Sequence, residues 1–502
     1  MRFGGPKRPS RSTRPTSLTL TLPDLEGPRP REEKPRIMNM EENEELTKDE
    51  VEQQVWSWGA GTDGQLGTGR LEDEHLPQLL RLPSLPSCGC VSMLACGGAH
   101  AVALTSVGNV LSWGRGTSGQ LGHGEMVSWL QPKPITSLES HKITHVSAGW
   151  SHSGFVSDTG LLFTCGDGSF GQLGHGDYRS HCSPIEVSFF VNMHVNEMAC
   201  GMRHSLVLLK DTGSSGSEVY AFGSGKRGQL GLSNDKIRTV SSPQITSGLE
   251  DLEVVSISAN GDHSAALSGE STGVLFCHFG KADYIPCTKC FGLEIIFLDL
   301  TDTERLMLRK IFPTRHQFCC TIVLSNSSSI LSVSSVDGHL YTWGRGFSGT
   351  SDTCFPQRVP SAFPFTKVAV GWNHALVLTG GHEVFMLGGN RHGVLSDFEN
   401  TSAAKQSPGE ATMEKVLGLE EVKVVEIAAG AEHSAIVTEN GVIKTWGWGE
   451  HGQLGLENTS DQTNPQVVSL GHDNLNKDTM KVYCGSGFTF AMRTLSLHSR
   501  TC

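Results

Sequence analysis

Trp113-Gly114-Arg115-Gly116-Thr117-Ser118-Gly119-Gln120-Leu121-Gly122 joins the end of a short apolar strand to a glycine-rich turn, and the chain repeats this arrangement. The tetrapeptide recurs as Gly64-Gln65-Leu66-Gly67, Gly119-Gln120-Leu121-Gly122, Gly171-Gln172-Leu173-Gly174, Gly228-Gln229-Leu230-Gly231 and Gly452-Gln453-Leu454-Gly455. Each copy follows a strand ending in Trp58-Gly59, Trp113-Gly114, Cys165-Gly166, Phe222-Gly223 or Trp446-Gly447. Two degenerate copies start at Trp343-Gly344 and Leu387-Gly388, where the string has decayed to Gly349-Thr350-Ser351 and Gly393-Val394-Leu395-Ser396. A second string, Gly-x-x-His, marks His100, His152, His204, His374 and His433; the fourth unit reads Asn260-Gly261-Asp262-His263, and the last has Phe488 in the histidine place. Self-similarity at a fixed period decides architecture before any single residue does, and here it gives seven units.

Each unit adds a proline-led segment such as Pro184-Ile185-Glu186-Val187 and an alternating run such as Val424-Val425-Glu426-Ile427-Ala428-Ala429. Period-two stretches punctuated by Gly and Pro are strands. Roughly four strands per unit, repeated in a ring, predict an all-β, seven-bladed β-propeller. Glycine permits the close-packed turn, Leu of the tetrapeptide is expected to fill the wedge between blades, and the Gln amide to satisfy turn backbone. The His-Ser pairs are expected to hydrogen-bond backbone inside their own blade. One histidine per blade spreads around a ring, so no metal centre is expected from them. The glycine turns open no helix and carry no phosphate-loop lysine, so no nucleotide or other cofactor is expected either.

These strings resemble the regulator-of-chromosome-condensation repeat family, over Val55 to about Arg493. The resemblance implies a seven-bladed propeller. Its founding member exchanges guanine nucleotide on a small GTPase, and a plant branch senses ultraviolet-B light through tryptophans in Gly-Trp-Arg-His-Thr repeats. Only Trp150 and Trp372 match that tryptophan here, in units two and five, while the intervening turns carry Met202 and Asp262. That pattern argues against light sensing.

Composition narrows the function classes. Glycine is 59 of 502 residues, charged residues are 18%, and the net charge is −12. Nine Lys/Arg and four Asp/Glu fall in residues 1–40, leaving an acidic body that disfavours broad nucleic-acid binding. No apolar run is long enough for a membrane helix. Fourteen scattered cysteines fit a reducing compartment, cytoplasm or nucleus.

The strand Val55-Trp56-Ser57-Trp58-Gly59 has no preceding Gly-x-x-His, and the last unit has no following aromatic-Gly strand. Pairing the N- and C-terminal strands in one blade removes both free edges and closes the ring. The domain plan is therefore a disordered N-terminal extension over 1–50, the propeller over 51–493 and a tail over 494–502. Residues 1–37, basic and rich in Ser, Thr and Pro, suit an organelle or nuclear import segment, or translation begun upstream of a start at Met38 or Met40.

His-to-aromatic spacing is 13 residues at four junctions and 80 from His263 to Trp343, so about 67 residues, 269–335, interrupt units four and five. Joining Ser268 to Val336 restores a hairpin with Asp337-Gly338 as its turn. The insertion holds five cysteines, including Cys287, Cys290, Cys319 and Cys320, near His278 and His316. It reads as a translated intron ahead of a partner-binding rim loop or a zinc site, since a second Cys-x-x-Cys is missing. With no catalytic constellation in the chain, the expected function is a non-enzymatic interaction scaffold with a protein partner on a blade-loop face. A guanine-nucleotide exchange factor acting on a small GTPase is the alternative.

Overall fold

The structure, a computed structural model, describes residues 52–82, 89–210, 217–232, 238–250, 252–269, 320–323, 332–335, 338–347, 351–388, 413–471 and 479–495. The chain opens with β1 (Glu52–Gly59) and β2 (Glu74–Leu79). Blade one is β3 (Val91–Cys96), β4 (His100–Thr105), β5 (Val110–Gly114) and β6 (Trp129–Pro134). Blade two is β7 (Ile143–Ala148), β8 (His152–Ser157), β9 (Leu162–Gly166) and β10 (His181–Glu186). Blade three is β11 (Val195–Cys200), β12 (His204–Lys210), β13 (Ser217–Ser224) and β14 (Thr239–Ile245). Blade four begins with β15 (Glu253–Asn260) and β16 (His263–Gly269). After β17 (Cys320–Val323) and β18 (Ser332–Ser335), which pair separately, it resumes with β19 (His339–Gly344) and β20 (Thr353–Arg358). Blade five is β21 (Phe365–Val370), β22 (His374–Thr379), β23 (Val384–Gly388) and β24 (Met413–Lys415). Blade six is β25 (Val424–Ala429), β26 (His433–Thr438), β27 (Ile443–Gly447) and β28 (Gln462–Val467). The last strands are β29 (Thr479–Cys484) and β30 (Phe488–Leu495).

Blade seven is shared between the two ends of the ring, in the order β29, β30, β1, β2. Strand β1 runs antiparallel to β30 without a slip, from Glu52 opposite Leu495 to Gly59 opposite Phe488. The closure read from the two unpaired sequence strands is the one observed. Across the insertion, Ser268 lies opposite His339 and His263 opposite Gly344, which is the His-to-Gly register of the other blades. The hairpin strands thus meet as the spacing implied, although Asp337 of the turn lies outside the described residues. So do the extension, its candidate start sites, residues 496–502, His278, Cys287, Cys290, His316, Cys319 and the string at Gly393.

Strand position explains residue type. The second strand of each blade is sandwiched between neighbours on both faces, so His100–Thr105 is buried at every position and reads as a continuous run rather than an alternating one. The outermost strands are edges, and Pro184, Pro243, Pro356 and Pro465 sit there. Proline lacks the N–H that would recruit another strand. The core is a set of wedges between blades. In one of them Val55, Leu66 and Phe490 of blade seven meet Leu94 and Trp113 of blade one, with the Trp113 and Phe490 rings edge-on at 5.8 Å. Among the described residues no helix is long and apolar enough to cross a membrane.

Candidate functional site

Antiparallel blades put every Gly-x-x-His turn and every Gly-Gln-Leu-Gly loop on one face of the ring, hereafter the front. The back carries the remaining turns, the points Gly269 and Gly338 flanking the insertion, and the outer ends of β1 and β30. Front-face geometry is set by a relay that crosses from blade to blade. His100 Nε2 lies 2.8 Å from Ser153 Oγ in blade two, and Ser153 donates to the Gln120 carbonyl at 2.8 Å. His152 and Ser205 (3.0 Å), His204 and Ser264 (2.9 Å), His374 and Ser434 (3.0 Å), and His433 and Thr489 (3.0 Å) repeat the step. Ser205, Ser264 and Thr489 then donate to the carbonyls of Gln172, Gln229 and Gln453. The histidines therefore bond the next blade, not backbone inside their own.

A hydroxyl that spends its proton on a carbonyl can only accept from the ring, so Nε2 carries the imidazole proton. Nδ1 of all six histidines is buried without a partner. Burial holds the rings neutral, with pKa values pushed down to about 3 at His100, His204 and His433 and about 4 at His152, His263 and His374. The glycine three residues before five of these histidines, all but His263, makes room for the ring: a Cβ on Gly97 would fall 2.5 Å from His100 Cε1.

The glutamines are the other node. Oε1 of Gln65, Gln120, Gln172, Gln229 and Gln453 accepts the backbone N–H two residues earlier, each at 2.9 Å. Their carbonyls also receive indole N–H groups of the following blade, Trp113 to Gln65 and Trp58 to Gln453, both at 2.9 Å, and Trp343 to Gln229 at 3.0 Å. Leu66, Leu121, Leu173, Leu230 and Leu454 are buried. The flanking glycines adopt the left-handed conformation at Gly64, Gly67, Gly119, Gly122, Gly171, Gly174, Gly228, Gly231, Gly452 and Gly455.

The seven inner strands surround a channel, a cavity of about 340 Å³. At its front mouth the turns are strung together by backbone bonds: Gly98 N–H to Gly149 O (3.0 Å), Trp150 to Gly201 (3.2 Å), Met202 to Gly261 (2.9 Å), Trp372 to Ala431 (3.0 Å), Ala431 to Ser486 (3.1 Å) and Ser486 to Gly97 (3.1 Å). Among the described residues no such bond joins blades four and five. There Asn260 replaces the glycine, and Gly261 N–H turns back to the Asn260 side chain at 2.7 Å.

Trp150 and Trp372 meet over this mouth, ring centroids 5.4 Å apart and tilted by 37°. They belong to blades two and five, which are not adjacent. They meet because Gly261, not Asp262, takes the tryptophan's place in blade four; a Cβ there would fall 2.3 Å from Trp372 Cδ1. Trp150 lies over Gly98 and is 37% exposed. On the next turn, to which Trp150 N–H bonds at Gly201 O, the exposed Arg203 guanidinium covers the Phe170 ring at 4.8 Å, and Lys226 Nζ stands 5.7 Å from the same ring. Sequence reading missed this cluster, because Phe170, Arg203 and Lys226 come from three different turns. The one signal was Arg203 directly preceding a relay histidine. Among the described residues no group of three or more His, Cys, Asp or Glu side chains is placed to hold a metal ion.

Comparison with known proteins agrees with this architecture. The RCC1-like domain profile matches residues 54–350, and profiles of the regulator of chromosome condensation (RCC1) repeat match 424–453 and 440–492. The chain is 28% identical to the ultraviolet-B receptor UVR8 of Arabidopsis thaliana over 390 residues, covering 75% of this chain and 81% of the receptor. It is 27% identical to the secretion-regulating guanine nucleotide exchange factor of Bos taurus over 470 residues, covering 87% and 82%. The crystal structure of Prp20p from Saccharomyces cerevisiae superposes with a TM-score of 0.63 at 21% identity, over 89% of this chain and 92% of Prp20p. With its repeats, ring closure and matched profiles, the chain belongs to the RCC1-like domain family of seven-bladed propellers.

Proposed function

We propose that this protein is a binding scaffold whose front face holds a protein partner, with any covalent chemistry supplied by that partner. The observation that carries this reading is how the front-face turns are held. Histidines, serines and glutamines that elsewhere serve catalysis are consumed here in buried blade-to-blade relays. They fix turns whose outer residues, Trp150 and Arg203, point to solvent. Preorganised turns with an exposed aromatic and an arginine have the composition of interface hot spots.

A second reading, guanine-nucleotide exchange on a small GTPase, is favoured by the near full-length similarity to the secretion-regulating exchange factor. Prp20p, of the same fold, is described with binding properties to Gsp1p and histones. Exchange requires only contacts that expel the nucleotide, so it is compatible with a face of this kind.

The two readings separate in a nucleotide-release assay. Full-length protein at substoichiometric concentration is mixed with small GTPases loaded with fluorescent GDP, in parallel with affinity capture from native extract. The scaffold reading expects unchanged release rates and a captured partner that is lost with Trp150→Ala but kept with the back-face control Phe363→Ser. Accelerated release from one GTPase establishes the exchange reading instead.

A further inference from the structure

Phe170, Arg203 and Lys226 stand out in an acidic chain. Arg203 and Lys226 are exposed, and among the described residues neither forms an ion pair, although the protein carries a net charge of −12. Carboxylates on the Phe170 turn and on the turn of blade four are engaged in hydrogen bonds within the fold. Asp167 accepts from Ser169 N–H (3.1 Å) and Gln172 Nε2 (3.0 Å), and Asp262 accepts from Gln229 Nε2 at 2.9 Å. Those bonds hold the turns and leave the two cations facing outward. Both cations are also steered by the same aromatic ring, which orders two long side chains before any ligand arrives. The neighbouring turn adds the exposed indole of Trp150, and Trp150 N–H bonds Gly201 O, so its position relative to Arg203 is fixed by backbone.

Resting on the scaffold reading, we propose that Phe170, Arg203 and Lys226, with Trp150 beside them, form a docking patch for an acidic segment of a protein partner. Carboxylates of that segment pair with Arg203 and Lys226, and an apolar side chain packs on Trp150 and the uncovered part of Phe170. Charge complementarity selects this occupant: two outward, aromatic-supported cations on an otherwise acidic body attract negative charge locally and repel it elsewhere.

The test uses the full chain and three fluorescein-labelled probes read by anisotropy. They are a peptide of Asp and Glu residues around one Leu and one Phe, the same peptide with Asn and Gln replacing the acids, and a single-stranded oligonucleotide of equal charge. The acidic peptide is expected to bind at least tenfold more tightly than its neutral counterpart and to weaken as salt is raised from 50 to 300 mM, roughly one to two Debye-length halvings. Arg203→Glu with Lys226→Glu, both on exposed turns, is expected to remove at least tenfold of that affinity while keeping the wild-type melting temperature. Equal binding by wild type and the double variant overturns the patch, as does tighter binding of the oligonucleotide. A change in sedimentation of the double variant without probe overturns it in favour of self-association. A front-face partner that depends on Trp150 but tolerates the double variant sinks the acidic-segment assignment and leaves the scaffold reading standing.

Discussion

Ala375 offers no hydroxyl to His263, and the histidine of blade four bonds the Trp372 carbonyl at 3.0 Å instead of a serine. The same logic runs in reverse at the ring closure, where Ala101 follows Phe488 in the relay order and no histidine is present to need a hydroxyl. Residues in different blades are thus matched in pairs across each seam.

That matching is testable as a double-mutant cycle. Phe488→His leaves an imidazole N–H facing Ala101 in a dry wedge and is expected to cost about 2–4 kcal/mol of unfolding free energy. Adding Ala101→Ser supplies the missing acceptor and should return about 1 kcal/mol or more. Urea titration of the four proteins measures it, and zero coupling between the two sites contradicts pairwise matching.

Removing one relay hydroxyl should hurt more than its size suggests. Ser434→Ala leaves the buried His374 Nε2 without its partner and is expected to cost about 1–3 kcal/mol. At Thr489, exchange to Ser should be nearly silent and exchange to Val should resemble Ser434→Ala. Equal losses for the Ser and Val variants would mean that shape rather than hydrogen bonding holds the seam.

Stability should fall in mild acid. The six relay histidines titrate near 6.5 when unfolded but only at about 3 to 4 when folded, so unfolding takes up protons between those values. Stability is then flat only above about pH 7.5 and declines as pH drops toward 4, with a limiting slope of up to about 8 kcal/mol per pH unit if all six protonate. Melting curves from pH 7.5 to 4.5 show the decline, and His433→Gln should make it shallower. A melting temperature unchanged to pH 5 rules out buried neutral histidines.

Ring closure makes its own demand. Deleting residues 1–60 removes β1, strips β30 of its partner from Phe488 to Leu495 and takes away the buried Trp58. The expected product unfolds without a sharp transition and aggregates through the bared strand. Deleting residues 1–40 leaves β1 intact and should melt like the full chain in calorimetry.

Much of this fold was legible because the repeat writes each blade with the same strings. The tetrapeptide and the histidine string supplied blade number, strand order and the partner of β1. The direction of the histidine bonds was not legible: a string read along the chain places His152 next to Ser153, whereas the ring places Ser153 against His100. The aromatic meeting of Trp150 and Trp372 was hidden for a related reason. Distance across a closed ring does not follow unit number, and a glycine between two tryptophans reads as an absence although it is the space one ring fills. Phe170, Arg203 and Lys226 belong to no string at all.

The missing bond between Gly261 and the turn of blade five changes what kind of object the ring is. Among the described residues, six seams carry a backbone bond at the front mouth and the seam between blades four and five does not. At that mouth the ring is a strip curled on itself with an expansion gap, held there by the His263 side chain on the Trp372 carbonyl. Neighbouring blades pass load only to each other, so a push that would spread the circumference accumulates at the gap. Blade four, on one side of it, is also the blade that the chain leaves at Gly269 and rejoins at Gly338. A pull at Gly338 acts first on its own bond to blade five, Phe365 N–H to Gly338 O at 2.9 Å, and beyond that on a seam with no backbone bond at its mouth.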